Sequence, residues 1–150
     1  MQKFKNPESV LVVIYCKTTN RCLMLQRQDD PNFWQSVTGS IEINELPFNA
    51  AIREVLEETN IDIIGQNLEL IDAKHTIEFE IFPQFRHKYA PKVKMNTEHW
   101  FYLLLSHEIT PILTEHLAYQ WLIIDDAANL TLSPNNRDAI NQIASMIKIN

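Results

Sequence analysis

The hydrophobic pattern changes period several times along the chain. Residues 9–15 form a nearly unbroken, β-branched apolar run and residues 22–26 a second, with Thr18, Thr19 and Asn20 reading as a turn between them. A polar, proline-containing loop over 28–32 leads to a short extended segment, 33–38, and then to Gly39. Over 47–59 the period becomes helical, with Phe48, Ile52, Val55 and Thr59 on one face and Pro47 suited to the first turn. Leu46 is a poor N-cap for this helix, whereas Asn60 suits a left-handed C-terminal cap. Strand-like segments follow at 68–73, 76–82 and 99–105, with a basic loop over 86–94 broken by Pro91 and a short apolar strand at 120–124. Ser133 and Pro134 make a good N-cap and first-turn pair for a last helix running to about Lys148. Strands before, around and after two helices predict an α/β or α+β layered domain, in which helices cover a mixed sheet. No repeat, linker or low-complexity stretch divides the chain, so one domain over 1–150 is expected.

Composition adds one oddity. The 150 residues include only two glycines, Gly39 and Gly65, where average usage near 7% would give roughly ten. Asn is the usual substitute where a tight turn needs positive φ, so Asn60 and Asn44 are expected to carry it. No G-x-G and no G-x-x-x-x-G-K occurs, which excludes a dinucleotide finger and a P-loop. A net charge of −6 argues against nucleic acid as a partner. Cys16 and Cys22 are too few for a disulfide framework. They read as two reduced, half-buried thiols, with one bridge as the alternative. The first eight residues lack the apolar core of a signal peptide and no run approaches 18 apolar residues, so a cytoplasmic protein without a membrane partner is expected.

The chemistry concentrates in one stretch. Five of the nineteen acidic residues fall between Glu42 and Glu58. Glu54, Glu57 and Glu58 stand at i, i+3 and i+4 of the predicted helix, so their carboxylates share a face beside the apolar stripe. Each like-charged pair destabilises an isolated helix by about 0.2–0.5 kcal/mol. Two readings follow from the residues alone: a solvated acidic face, or a site for a hard cation whose charge would cancel the repulsion.

Read from Gly39, the chain has five residues, Glu45, seven residues, and then Arg53-Glu54-Val55-Leu56-Glu57-Glu58-Thr59-Asn60-Ile61. This resembles the Nudix hydrolase signature, G-x5-E-x7-R-E-U-x-E-E-x-G-U with U aliphatic. One position departs, since Asn60 stands at the second glycine, where its tolerance of the left-handed region preserves the backbone path. The resemblance implies an α/β/α sandwich around a mixed β-sheet and hydrolysis of a diphosphate linked to another moiety, with Mg²⁺ or Mn²⁺ as cofactor. It makes Glu54, Glu57 and Glu58 metal ligands or, for one of them, the general base. It has Gly39 offer its carbonyl to the metal, and makes Arg53 and Glu45 a pair that orients the helix carboxylates.

Outside the signature, the stretches 27–31, 33–40, 76–82 and 114–121 are similar to a branch of the family that acts on a pterin triphosphate. The similarity covers about residues 5–145. That branch removes pyrophosphate from 7,8-dihydroneopterin triphosphate in folate biosynthesis, leaving the monophosphate. By this resemblance Glu115 completes the metal site, and Lys5, Arg27, Thr38, Phe79, Glu80, Ile81, Phe82 and Ser133 contact substrate. Lys and Arg suit a triphosphate, and an aromatic-flanked strand suits a flat pterin. Strand side chains alternate faces, so Phe79, Ile81 and Phe82 also have a core reading.

Glu98, before an aromatic strand, reads as a base, a supporting acid or a plain strand-edge charge. Arg86, His87, Lys88 and Lys92 form a loop that either covers the triphosphate or is solvated. The histidines lack zinc-type spacing. Alternatives to a pterin triphosphate are a nucleoside triphosphate such as dATP, since purines resemble pterins in size and edge, or a noncatalytic Nudix-fold binding module. The expected assembly is a monomer or weak homo-oligomer.

Overall fold

The chain, described by a computed structural model over residues 3–147, is organised around one strand. β1 (Glu8–Cys16) runs parallel to β6 (Met95–Leu105) from Glu8↔Thr97 to Cys16↔Leu105. On its other side β1 divides its partners. Its first half pairs antiparallel with β4 (Val37–Ser40), and only its last two residues pair with β2 (Arg21–Arg27). β2 then pairs with β3 (Trp34–Gln35) and with β7 (His116–Ile123), while β5 (Glu69–Glu80) forms the far edge beside β6. The result is a seven-stranded mixed sheet.

The apolar run of β1 is buried on both faces, as a central strand covered on both sides must be. Val10, Val12 and Ile14 pack with Phe101, Leu103 and Leu105 under Ala50, Ala51 and Val55 of α1 (Pro47–Thr59). Leu11, Val13 and Tyr15 pack on the opposite face with Trp100 and Tyr102 against α2 (Ile124–Leu130), α3 (Pro134–Asn141) and α4 (Ile143–Ile147). This is the expected α/β/α sandwich, of the α+β class.

α1 has the predicted bounds, with no side-chain cap at Leu46 and with Asn60 closing it at φ 65°. Its buried stripe is the predicted one in part: Val55 and Thr59 are buried and Ile52 packs half-buried against the core, but Phe48 is 40% exposed, and Ala50, Ala51 and Glu58 are buried beside them. Alanines let the helix approach the sheet closely, and that rotation carries Glu58 inward. The strands expected at 68–73 and 76–82 are one strand, β5, with a register shift between Asp72 and Thr76 where Lys74 adopts φ 53°. A 3-10 turn, Pro83–Lys88, replaces part of the expected loop. β7 starts earlier than predicted, and Ile124 begins α2, a helix the sequence did not signal. The last helix is interrupted at Gln142, and its expected end at Lys148 lies outside the described residues.

Among the described residues positive φ falls on Asn20, Asn44, Asn60, Asn67 and Lys74, and on neither glycine. Asn has therefore taken over the left-handed turns. Both cysteines are free and fully buried rather than half-buried. No helix among the described residues is long and apolar enough to cross a membrane.

Candidate active site

Where β4 leaves β1 and enters α1, Arg53 gathers the acidic residues. Its Nε and Nη2 donate to the two oxygens of Glu45 at 2.8 and 2.9 Å, and Nη2 also donates to the Ser40 carbonyl at 3.0 Å. Nη1 donates to Glu54 at 2.7 Å and to Glu57 at 3.2 Å. Glu45 is held in turn because its Oε1 accepts from the Glu42 backbone N–H at 3.0 Å. The guanidinium thus fixes the β4–α1 loop and two helix carboxylates at once.

Along one side of α1 Glu58 is buried and Glu54 half-buried, whereas the Glu57 side chain is 56% exposed. Burial first, then the neighbouring Glu54 and the charge of Glu115, push the Glu58 carboxyl well above its ordinary pKa. Burial also raises Glu54, against the opposing pull of Glu58 and Arg53. Glu58 Oε1 has no hydrogen-bond donor, and His116 Nε2 stops 3.6 Å away. Burial lowers the pKa of His116, so it adds no compensating positive charge at neutral pH.

Glu115 arrives from the far side. The segment before β7 is tied to the end of α1 by the Ile112 N–H to the Thr59 carbonyl (3.0 Å) and the Thr114 hydroxyl to the Glu57 carbonyl (3.0 Å). These bonds bring Glu115 to the cleft that Gly39, Glu54, Glu57 and Glu58 line. A Cβ on Gly39 would fall 2.0 Å from Glu54 Cδ, so the absence of a side chain there leaves the carboxyl its room.

The donor set fits a hard divalent cation: oxygen ligands only, an orphaned buried carboxylate oxygen, and carboxyls whose ionised form the protein alone disfavours. Among the described residues no three acidic, His or Cys side chains yet converge on one point. Arg53 holds Glu54 and Glu57 on its own side.

The same cleft continues into an aromatic pocket, the two sharing Lys5, Arg27, Gln35, Thr38, Gly39, Ser40 and Lys88. Three cations stand at this junction. Burial lowers the pKa of Lys5, helped by the like charges of Lys88 and Arg27. Asp29 restrains the other two, taking both Nε (2.7 Å) and Nη2 (2.6 Å) of Arg27 and pairing with Lys88. These cations hold the Asp29 carboxyl well below its ordinary range. Gln35 bridges Arg27 (3.1 Å) and the Thr38 hydroxyl (2.9 Å), which accepts and so keeps its own proton to donate.

Of the predicted contact residues, Lys5, Arg27, Thr38, Phe79, Ile81, Phe82 and Ser133 line the aromatic pocket. Ile81 is also core, in a cluster with Phe33 and Phe85. Ser133 Oγ is occupied capping α3, accepting from the Asn136 N–H at 3.2 Å. The Glu80 side chain does not line the pocket: strand alternation turns it out to solvent, where it pairs with Arg86, which leaves only its backbone to take part in a contact by the 79–82 stretch. Of the basic loop, Lys88 reaches the cleft.

Sequence reasoning missed Gln35, Phe85, Tyr89, Asn96 and Asn136, which line the pocket through pairings and contacts between distant segments. It also undervalued Glu98. Glu98 is no strand-edge charge: it is 5% exposed, lines the pocket and accepts from Trp100 Nε1 at 3.1 Å. Its burial pushes the carboxyl up to about 7.

Comparison with known proteins agrees with this geometry. The chain is 58% identical over 139 residues to the dihydroneopterin triphosphate diphosphatase of Escherichia coli K12, covering 93% of each. It is 53% identical to the enzyme of that name from Haemophilus influenzae, over 95% of this chain and 90% of that one. The solved E. coli dihydroneopterin triphosphate pyrophosphohydrolase superposes with a TM-score of 0.92 at 57% identity, covering 94% of this chain and 97% of that one. The family described as the NUDIX domain matches residues 5–143, and the chain belongs to the Nudix family.

Proposed function

We infer that this chain is a divalent-metal-dependent pyrophosphohydrolase that converts 7,8-dihydroneopterin triphosphate to the monophosphate and pyrophosphate. The observation that carries the reading is one cleft with a carboxylate end and an aromatic end, joined by Lys5, Arg27 and Lys88. The high identity to enzymes of that name over nearly the whole chain supports the choice of substrate.

The residues divide the work along the cleft. Glu54, Glu57, Glu58 and Glu115, with the Gly39 carbonyl, would hold Mg²⁺, which Mn²⁺ can replace. When bound, such an ion polarises phosphate oxygens, lowers the pKa of an attacking water and offsets the charge of substrate and protein. Arg53, held by Glu45, keeps Glu54 and Glu57 at the edge of the cleft and so positions them. Lys5, Arg27 and Lys88 bind the triphosphate as charge-assisted donors, and the Thr38 hydroxyl adds a neutral one. Phe79 and Phe82 flank the flat ring. All carboxylates of the signature are present, which favours an enzyme over a noncatalytic module.

Comparing kcat/KM for dihydroneopterin triphosphate and dATP with Mg²⁺ tests the substrate assignment. A clear preference for the pterin is expected; equal or greater efficiency with dATP would make this a nucleotide enzyme.

A further inference from the structure

The aromatic end of the cleft contains polar groups that the phosphate chemistry does not use. Asn96 and Glu98 stand two residues apart on β6, so they share one face of the strand. Both line the pocket, and they are 2% and 5% exposed. Asn96 Nδ2 donates to Ser9 Oγ at 2.7 Å, which leaves Asn96 Oδ1 buried without a donor. Glu98 Oε1 accepts from Trp100 Nε1, and Oε2, which is not fully enclosed, has no donor among the described residues. An enclosed acceptor without a donor, as Asn96 Oδ1 is, is costly unless a ligand supplies the missing hydrogen. A flat ring between Phe79 and Phe82 that offered adjacent N–H groups would supply that hydrogen and one for Glu98 Oε2.

Resting on the function proposed above, we propose that Glu98 and Asn96 are the specificity residues for the ring. The Glu98 carboxylate accepts from the 2-amino group and the adjacent ring N–H of a 2-amino-4-oxopteridine, and Asn96 Oδ1 takes a further ring donor. The pair of parallel N–H groups matches the two oxygens of a carboxylate, as a guanidinium does. A ring bearing a carbonyl at position 2 would instead set an acceptor against an acceptor, and a site built around buried acceptors rejects such an analogue strongly.

The test uses the full chain with Mg²⁺, comparing wild type with Glu98→Gln and Asn96→Leu. Wild-type turnover of dihydroneopterin triphosphate reports on the function itself. The ratio of variant to wild type reports on the recognition. Glu98→Gln should raise KM roughly ten- to hundredfold with kcat within about threefold, because a charge-assisted pair is lost at the ring and not at the phosphates. Asn96→Leu removes an unsatisfied buried acceptor together with the Nδ2 donor to Ser9 Oγ, so its melting temperature should change only modestly while KM rises at least about threefold. Pterin and lumazine, as phosphate-free competitors, give an independent reading: wild type should bind pterin at least about tenfold more tightly, and Glu98→Gln should lose that preference. Unchanged KM in both variants, a loss confined to kcat, or equal inhibition of wild type by pterin and lumazine would each overturn the proposal.

Discussion

Gly39 and Glu54 compete for one space: a Cβ on the glycine would sit 2.0 to 2.4 Å from the carbon and both oxygens of the Glu54 carboxyl. The glycine's φ is not positive, so its role is room and not backbone freedom. Gly39→Ala should therefore leave the fold intact, because the far end of a flexible side chain can swing away, yet misplace the carboxylate. Displacing a catalytic group by an ångström costs about 10²-fold. Steady-state kinetics with a parallel thermal melt should give a loss of that order with little change in melting temperature.

Glu58 is the most enclosed of the helix carboxylates, and the protein gives its Oε1 no donor. Removing the charge should relieve the metal-free protein while abolishing activity. Glu58→Gln is expected to melt higher than wild type at pH 8 without divalent ions, by about 1–3 kcal/mol of stability. Its turnover should fall at least about a hundredfold, and Mg²⁺ should no longer raise its melting temperature as it does for wild type. Thermal melts with and without EDTA check both effects.

Arg53 acts through other side chains. Arg53→Lys keeps the charge but cannot reach Glu45 in a two-bond fork while also holding Glu54 and Glu57. A roughly ten- to hundredfold loss in kcat is expected, with a higher Mg²⁺ concentration needed for half-maximal rate. A Mg²⁺ titration of both proteins measures it.

The raised pKa of Glu98 sets a pH dependence of known sign. Folded, the carboxyl titrates at about 7, against 4.5 ordinarily. The unfolded chain therefore loses this proton first, and stability falls as pH rises from about 4.5 to about 7, by something on the order of 3 kcal/mol from this group. Ring binding should run the opposite way, weakening below pH 7 as the acceptor is protonated. Glu98→Gln should flatten both profiles, measured by chemical denaturation and by pterin competition across pH 5 to 8.

The sequence made some of this legible and hid the rest for physical reasons. α1 was readable to the residue because its signals are local: Pro47 in the first turn, helical spacing, and Asn60 in place of glycine at the cap. Its facing is legible at Ile52, Val55 and Thr59 but not at Phe48, because bulk does not decide burial: the small Ala50 and Ala51 do the close packing and bring Glu58 inward. The polar Lys74 and His75 interrupt the apolar pattern of β5, and only pairing with β6 carries the strand across them with a bulge. Glu115 was found only by resemblance, since backbone bonds from residues 112 and 114 to the end of α1 place it. Glu98 reads as an edge charge in the sequence because its burial depends on Ser9↔Glu98 pairing across more than half of the chain, which no local pattern reveals.

The central claim is settled most directly by following the phosphorus. Purified protein, dihydroneopterin triphosphate and Mg²⁺ in ¹⁸O-labelled water, observed by ³¹P NMR, should yield pyrophosphate and dihydroneopterin monophosphate in equal amounts. The label will also identify the phosphorus that water attacks. Stepwise release of inorganic phosphate, or an unchanged triphosphate spectrum, would contradict the account.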